Sequence, residues 1–214
     1  MDGGISEKAE RFIRGFYEGE STGHDYWHSV RVRNIAMSIC DTEPEADRTL
    51  VAVAALLHDV DDRKLGGDWK NLPVAEGFLR DNGVSGDEIL QVKEIIAKIS
   101  FKGKDSEVPD SLEGRIVQDA DRLDAIGAIG VARVFAYGGK HGRPLFDPSS
   151  RPRSGMSEEE YFSKTPDSIT HFHEKLLLLR DMMNTAEGRR LAEHRHEFML
   201  EYLAEFDGEW NGCL

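Results

Sequence analysis

Residues 51–62 read VAVAALLHDVDD. Seven apolar residues, Val51 to Leu57, run directly into His58 and Asp59, with Asp61 and Asp62 close behind. Residues 47–60 are apolar on nearly every side, the pattern of a central, wholly buried helix. A titratable pair at the end of such a helix is costly to bury unless a partner satisfies its charge. That partner has to come from elsewhere in the chain.

Working outward, helical periodicity dominates. Ile5, Ala9, Phe12, Ile13 and Phe16 share one face, with Ser6 or a neighbour as a cap. From Asp25 onward His28, Val32, Ile35 and Ile39 form a stripe, and Ile89, Val92, Ile96 and Ile99 form another. The cleanest is Ile169, Phe172, Leu176, Leu179 and Met183, and a last helix carries Leu191, Phe198, Tyr202, Leu203 and Phe206. No strand-like alternation and no internal repeat interrupts this. The expected fold class is all-α, one domain over residues 1–214 built from roughly eight to ten helices.

One segment breaks the pattern. Residues 138–168 are rich in Gly, Pro and Ser, and loops of that length inside a compact domain often serve function. Within 140–153, four basic residues (Lys140, Arg143, Arg151, Arg153) stand against one acid, Asp147. This insertion reads either as a solvated surface loop or as a lid over an anionic ligand.

Composition narrows the function. The chain has 214 residues, 39% hydrophobic and 31% charged, which describes a globular protein. No apolar run approaches the roughly 18 residues a membrane span needs, and the N-terminus MDGGISEKAE lacks the pattern of a secretory signal. Two distant cysteines, Cys40 and Cys213, suit a reducing cytoplasm and argue against a disulfide framework or a cysteine zinc site. A net charge of −13, with no basic helix or aromatic-interleaved basic stripe, disfavours nucleic acid as a partner. The same charge repels phosphorylated small molecules unless a bound cation reverses the field locally.

Two further places bear residues like His58 and Asp59. His28 lies on the inward stripe of its helix; alone it reads as a core histidine bonded to a carbonyl. Asp121, in VQDADRLDAIGAIGVAR, is expected to share a helical face with Ala125, Ala128 and Ala132; alone it reads as a cap. Together, two histidines and two aspartates offer the imidazole and carboxylate groups that suit Mn, Fe, Co, Ni or Zn, with Mg also accommodated.

The ordered set His28, His58–Asp59 and Asp121 resembles the HD superfamily of metal-dependent phosphohydrolases. The strings GHDYWHSVRV, AALLHDVDDRK, ISFKG, DADRLDAIGAIGVAR and HFHEKLLLLRDMMNT resemble one bacterial single-domain branch, some members of which are nucleoside triphosphate pyrophosphohydrolases. The resemblance spans about residues 5–206 and implies an all-helical HD bundle. It also implies one divalent ion, manganese favoured, held by His28, His58, Asp59 and Asp121, with Asp119 and Asp124 supporting the ligands. Residues 62–119 contain no histidine, so the two-metal pattern of some HD proteins is not expected.

In related HD hydrolases an acid three residues past the HD pair orients or deprotonates the attacking water, which assigns that role to Asp62. On a helix, Asp62 faces the same way as Asp59, while Asp61 points about a hundred degrees away. Lys64, Lys102 and Arg133 are candidate phosphate contacts. His24, four residues before His28, is a candidate to support a metal ligand or to contact substrate. His171, His173, His194 and His196 have no assigned role.

The expected function is metal-dependent hydrolysis of a (deoxy)nucleoside triphosphate to the monophosphate and pyrophosphate. The alternatives are a nucleoside monophosphate phosphatase and a non-catalytic nucleotide or metal sensor. A nucleotide is the expected partner, and a homodimer is compatible with the sequence.

Overall fold

The computed structural model describes residues 1–19, 25–163 and 165–214, without the side chain of Lys64. His24 and the Lys64 side chain therefore lie outside the described residues. Among the described residues ten α-helices follow in order: α1 (Ile5–Phe16), α2 (Tyr26–Cys40), α3 (Arg48–Leu57), α4 (Pro73–Asp81), α5 (Gly86–Ile99), α6 (Leu112–Asp124), α7 (Gly127–Lys140), α8 (Glu158–Phe162), α9 (Ser168–Glu174) and α10 (Ala186–Trp210). Short 3₁₀ segments occupy Arg63–Leu65 and Leu176–Met182. No strand occurs among the described residues. Nor is any described helix long and apolar enough to cross a membrane.

α3 is the axis of the bundle. Every residue from Leu50 to Leu57 is buried, and the helix packs against α1, α2, α5 and α6. Burying a Val or Leu side chain is worth about 1.5–3 kcal/mol, so the apolar run fixes α3 firmly and with it the residues at its C-terminal end. Asp47 caps its start, accepting from the Thr49 and Leu50 amides at 2.9 and 3.0 Å. Ser85 caps α5 with a reciprocal capping box to Glu88, and Ser111 caps α6.

Several boundaries differ from the periodic reading. α3 stops at Leu57 rather than residue 60, and His58–Asp62 form a turn in which the Asp62 amide bonds the Asp59 carbonyl at 3.0 Å. The expected face of Asp121, Ala125, Ala128 and Ala132 is split, because α6 ends at Asp124 and α7 begins at Gly127. The junction is glycine-built. Gly127 sits at φ +73°, and a Cβ at Gly130 would lie 2.2 Å from the Ala125 carbonyl oxygen. The stripe from Ile169 to Met183 is not one helix either: it breaks at Lys175 (φ −140°, ψ −60°) into α9 and a 3₁₀ segment. Its apolar residues are nevertheless all buried. Phe16 and Phe198, expected inside, are exposed, and Ala192, His196 and Met199 make the buried stripe of α10. Gly4, not Ser6, caps α1.

The loop-rich insertion is shorter and more ordered than expected. α7 runs to Lys140 and α8 forms within the segment, leaving 141–157 irregular. That stretch is tied down. The Ser168 and Ile169 amides bond the Pro144 and Leu145 carbonyls at 3.0 and 3.1 Å, and the Lys104 amide bonds the Met156 carbonyl at 2.8 Å.

Candidate metal centre and substrate cavity

α2 delivers His28. Asp25 caps the helix by accepting from the His28 amide at 2.8 Å, which turns the ring inward to full burial. The His28 Nδ1 donates to Asp124 Oδ2 at 2.7 Å. Asp124 also accepts from Arg31 Nε and Arg133 Nη1, each at 2.7 Å. His58 caps the end of α3, and its Nδ1 donates to the Ala55 carbonyl at 2.9 Å. Because carbonyls and carboxylates only accept, both Nδ1 atoms carry a proton, and the two Nε2 atoms are the ones turned toward the centre.

Those two Nε2 atoms meet at 3.2 Å. Asp59 Oδ2 lies 3.2 Å from His28 Nε2, and Asp59 Oδ1 lies 3.3 Å from His58 Nε2. Asp121 Oδ1 is 3.4 Å from the first ring and 3.6 Å from the second. Neighbouring ligand atoms of an octahedral ion held at ~2.1 Å are roughly 3 Å apart, so the donor set has the spacing and chemistry of a divalent cation site. The Asp121 side chain is 26% exposed against 1% and 2% for the two rings, so the centre opens on the Asp121 side.

Proton affinities tell the same story. Burial and the Arg133 charge push the His28 pKa down, but hydrogen bonds to Asp121, Asp124 and Asp59 outweigh them and lift it to about 10. Burial likewise lowers His58, and Asp59 and Asp121 raise it above its ordinary value. Burial favours the neutral form of Asp121, yet the bonds to His28 and His58 hold its pKa well below the carboxylate range. The field that draws a proton to His28 is the field that draws a cation.

Beside the centre lies a cavity of about 210 Å³. Asp59, Asp62 and Asp121 line it as acids, and Arg133, Arg143 and Lys175 supply cations. Phe101, Tyr137, Tyr161 and Phe162 form aromatic wall. The Lys175 ammonium sits 5.5 Å from the Phe101 ring centre and 5.8 Å from that of Tyr161, within cation–π range.

The HD domain family matches residues 26–126, the stretch holding all four of these groups. The chain is 39% identical over 211 residues to the uncharacterised protein YpgQ of Bacillus subtilis, covering 97% of this chain and 94% of that one. YpgQ has been solved in complex with ADP; that structure is 37% identical, with a TM-score of 0.74 and coverage of 95% and 97%. A protein from Lactobacillus plantarum superposes with a TM-score of 0.86 at 35% identity over 99% of both chains. An HD-superfamily hydrolase from Bacillus thuringiensis is 38% identical over 96% of each chain, with a TM-score of 0.74. The chain belongs to the HD superfamily. It is a metal-dependent phosphohydrolase. HD domains bind divalent metals, and in this HD hydrolase His28, His58 and Asp59 form the buried His–His–Asp cluster.

The other sequence-derived candidates fall in different places. Asp62 lines the cavity beside Asp59 and Asp121. Asp61 points away and caps α4, accepting from the Val74 and Ala75 amides at 3.0 and 2.9 Å. Asp124 supports His28, whereas Asp119 bonds the Asn184 and Thr185 amides at the start of α10. Arg133 lines the cavity while bonding Asp124. Lys102 lies in an adjoining narrow cleft, 5.2 Å over the Trp69 ring. Of the basic loop, Arg143 reaches the cavity, Arg151 bonds the Pro148 and Ser150 carbonyls, and Arg153 binds Glu174. Lys175, His171 and the aromatic wall were not foreseen in the sequence, although HFHEKLLLLR contains the first two.

Proposed function

We propose that this HD hydrolase cleaves (deoxy)nucleoside triphosphates to the monophosphate and pyrophosphate, using one divalent ion, manganese favoured. The ion is held by His28, His58, Asp59 and Asp121. The observation that carries the reading is the cavity itself, whose lining combines three acids, Asp59, Asp62 and Asp121, with three cations, Arg133, Arg143 and Lys175, and four aromatic rings. A phosphate chain needs the acids for its ion and the cations for its remaining charge, and a base needs a flat apolar wall. The ADP complex of YpgQ adds support from a relative.

When bound, a divalent cation acidifies water and polarises a phosphoryl oxygen. The chain supplies the rest. Asp62 orients the attacking water and takes its proton. Arg133, Arg143 and Lys175 neutralise and align the polyphosphate, and the rings of Tyr161 and Phe162 shield the reacting bond from bulk solvent. Asp124 holds the His28 Nδ1 proton, so that Nε2 is the nitrogen His28 turns toward the ion.

We place this activity in one HD-type domain spanning residues 1–214, with the 141–157 strap and α8 as a cover over the site. Its free cysteines, Cys40 and Cys213, suit the cytoplasm. The deciding experiment incubates the manganese-loaded protein with dATP and the other triphosphates and identifies products by ³¹P NMR. Pyrophosphate supports the reading. Orthophosphate released only from monophosphates indicates a nucleotidase. Binding without turnover indicates a sensor.

A further inference from the structure

Arg153 belongs to the irregular strap, outside the residues that line the cavity. Its guanidinium nevertheless joins two walls of that cavity. Nε and Nη2 donate to Glu174 Oε1 and Oε2 at 2.7 and 2.9 Å, and the Arg153 amide adds a third bond to Oε1 at 3.1 Å. Nη1 donates to the Glu160 carbonyl at 3.1 Å and to Ser163 Oγ at 2.7 Å. Glu174 is 2% exposed. Its neighbour Lys175 stands at the break between α9 and the 3₁₀ segment and reaches into the cavity. Glu160 and Ser163 bracket Tyr161 and Phe162, the aromatic wall. One side chain therefore ties the residue next to the cation to the two residues that flank the rings.

We infer that Arg153 is a positioning residue for substrate: its clasp on Glu174, Glu160 and Ser163 pre-sets Lys175 and the Tyr161–Phe162 wall for the nucleotide. The inference rests on the nucleotide reading of the cavity. A planar fork with five donors meets these acceptors together; an ammonium cannot hold the same spread. A preorganised wall lowers the ordering cost of binding, so the effect belongs in KM. The acids at the metal centre make no contact with Arg153 among the bonds described, so the chemical step is spared.

The test compares wild type, Arg153→Ala and Arg153→Lys, each loaded with manganese, in steady-state hydrolysis of a nucleoside triphosphate. Thermal stability and manganese affinity are measured alongside. The expected result is a KM raised about tenfold or more in R153A, with kcat within about threefold and manganese affinity unchanged. Arg153→Lys keeps a charge opposite Glu174, so it restores stability but recovers only part of the KM. If R153A does not fold, R153K carries the test alone. A wild-type KM in R153K, or a loss confined to kcat or to metal binding in either variant, overturns the inference. Failure of the wild type to hydrolyse any nucleotide defeats the nucleotide reading first, and the inference with it.

Discussion

The Nε2 atoms of His28 and His58 lie 3.2 Å apart, and the other nitrogen of each ring is already committed, to Asp124 and to the Ala55 carbonyl. Two lone pairs and two carboxylates thus converge where only a proton or a cation can reconcile them. Metal loading must therefore expel a proton. With the His28 pKa lifted to about 10, that proton is present at neutral pH in the metal-free protein. Calorimetry of manganese binding in two buffers of different ionisation enthalpy should show proton release near pH 7.5, and affinity should weaken as pH falls.

The same shift fixes a stability profile. A histidine whose folded pKa is raised stabilises the fold fully below its unfolded value, about 6.5, and the contribution is lost as pH rises through the folded value. The metal-free protein should therefore lose thermal stability between about pH 6.5 and about 10. A melting series in chelator checks this, and a metal-free Tm that climbs across that range would contradict it.

Asp61 and Asp62 are adjacent acids with opposite consequences. Asp61→Ala strands the Val74 and Ala75 amides at the start of α4, the second of them buried, which should cost about 1–3 kcal/mol of stability with kcat preserved in the folded fraction. Asp62→Asn should lower kcat about 10²–10⁴-fold with metal content and Tm near wild type. Denaturant titration and kinetics on the two variants separate these effects.

The convergence of His28, His58 and Asp59 was legible because each feature is local. The apolar run before His58 announced burial, and the stripe of α2 aimed His28 inward. The cavity-facing half was not. Lys175 flanks an apolar stripe whose periodicity continues across the helix break, so spacing alone conceals the break. Gly127, at φ +73°, and Gly130, pressed against the Ala125 carbonyl, end the α6–α7 register through a backbone geometry that exists only after folding. Arg153 and Glu174 stand 21 residues apart, and nothing local couples them. The basic cluster at 140–153 was visible, but its charges divide between the cavity, the backbone and a buried acid.

Asp124 accepts from His28, Arg31 and Arg133. Asp124→Asn removes the charge that holds the His28 ring, and manganese affinity should fall about 10–100-fold. Isothermal titration measures it directly; an affinity equal to wild type would mean that the ring is held by packing alone.

Lys175 enters the cavity beside Asp59 and Asp121, whereas Lys102 lies in the adjoining cleft over Trp69. Lys175→Ala should raise the KM for a triphosphate about tenfold, and Lys102→Ala should change it less. Steady-state kinetics of both variants rank the two lysines.

The most direct measurement is an anomalous diffraction map from crystals grown with manganese. A single strong peak bounded by His28 Nε2, His58 Nε2 and carboxylate oxygens of Asp59 and Asp121 is the predicted result. A map with no peak at that point, or with manganese bound elsewhere while these four groups turn apart, would contradict it.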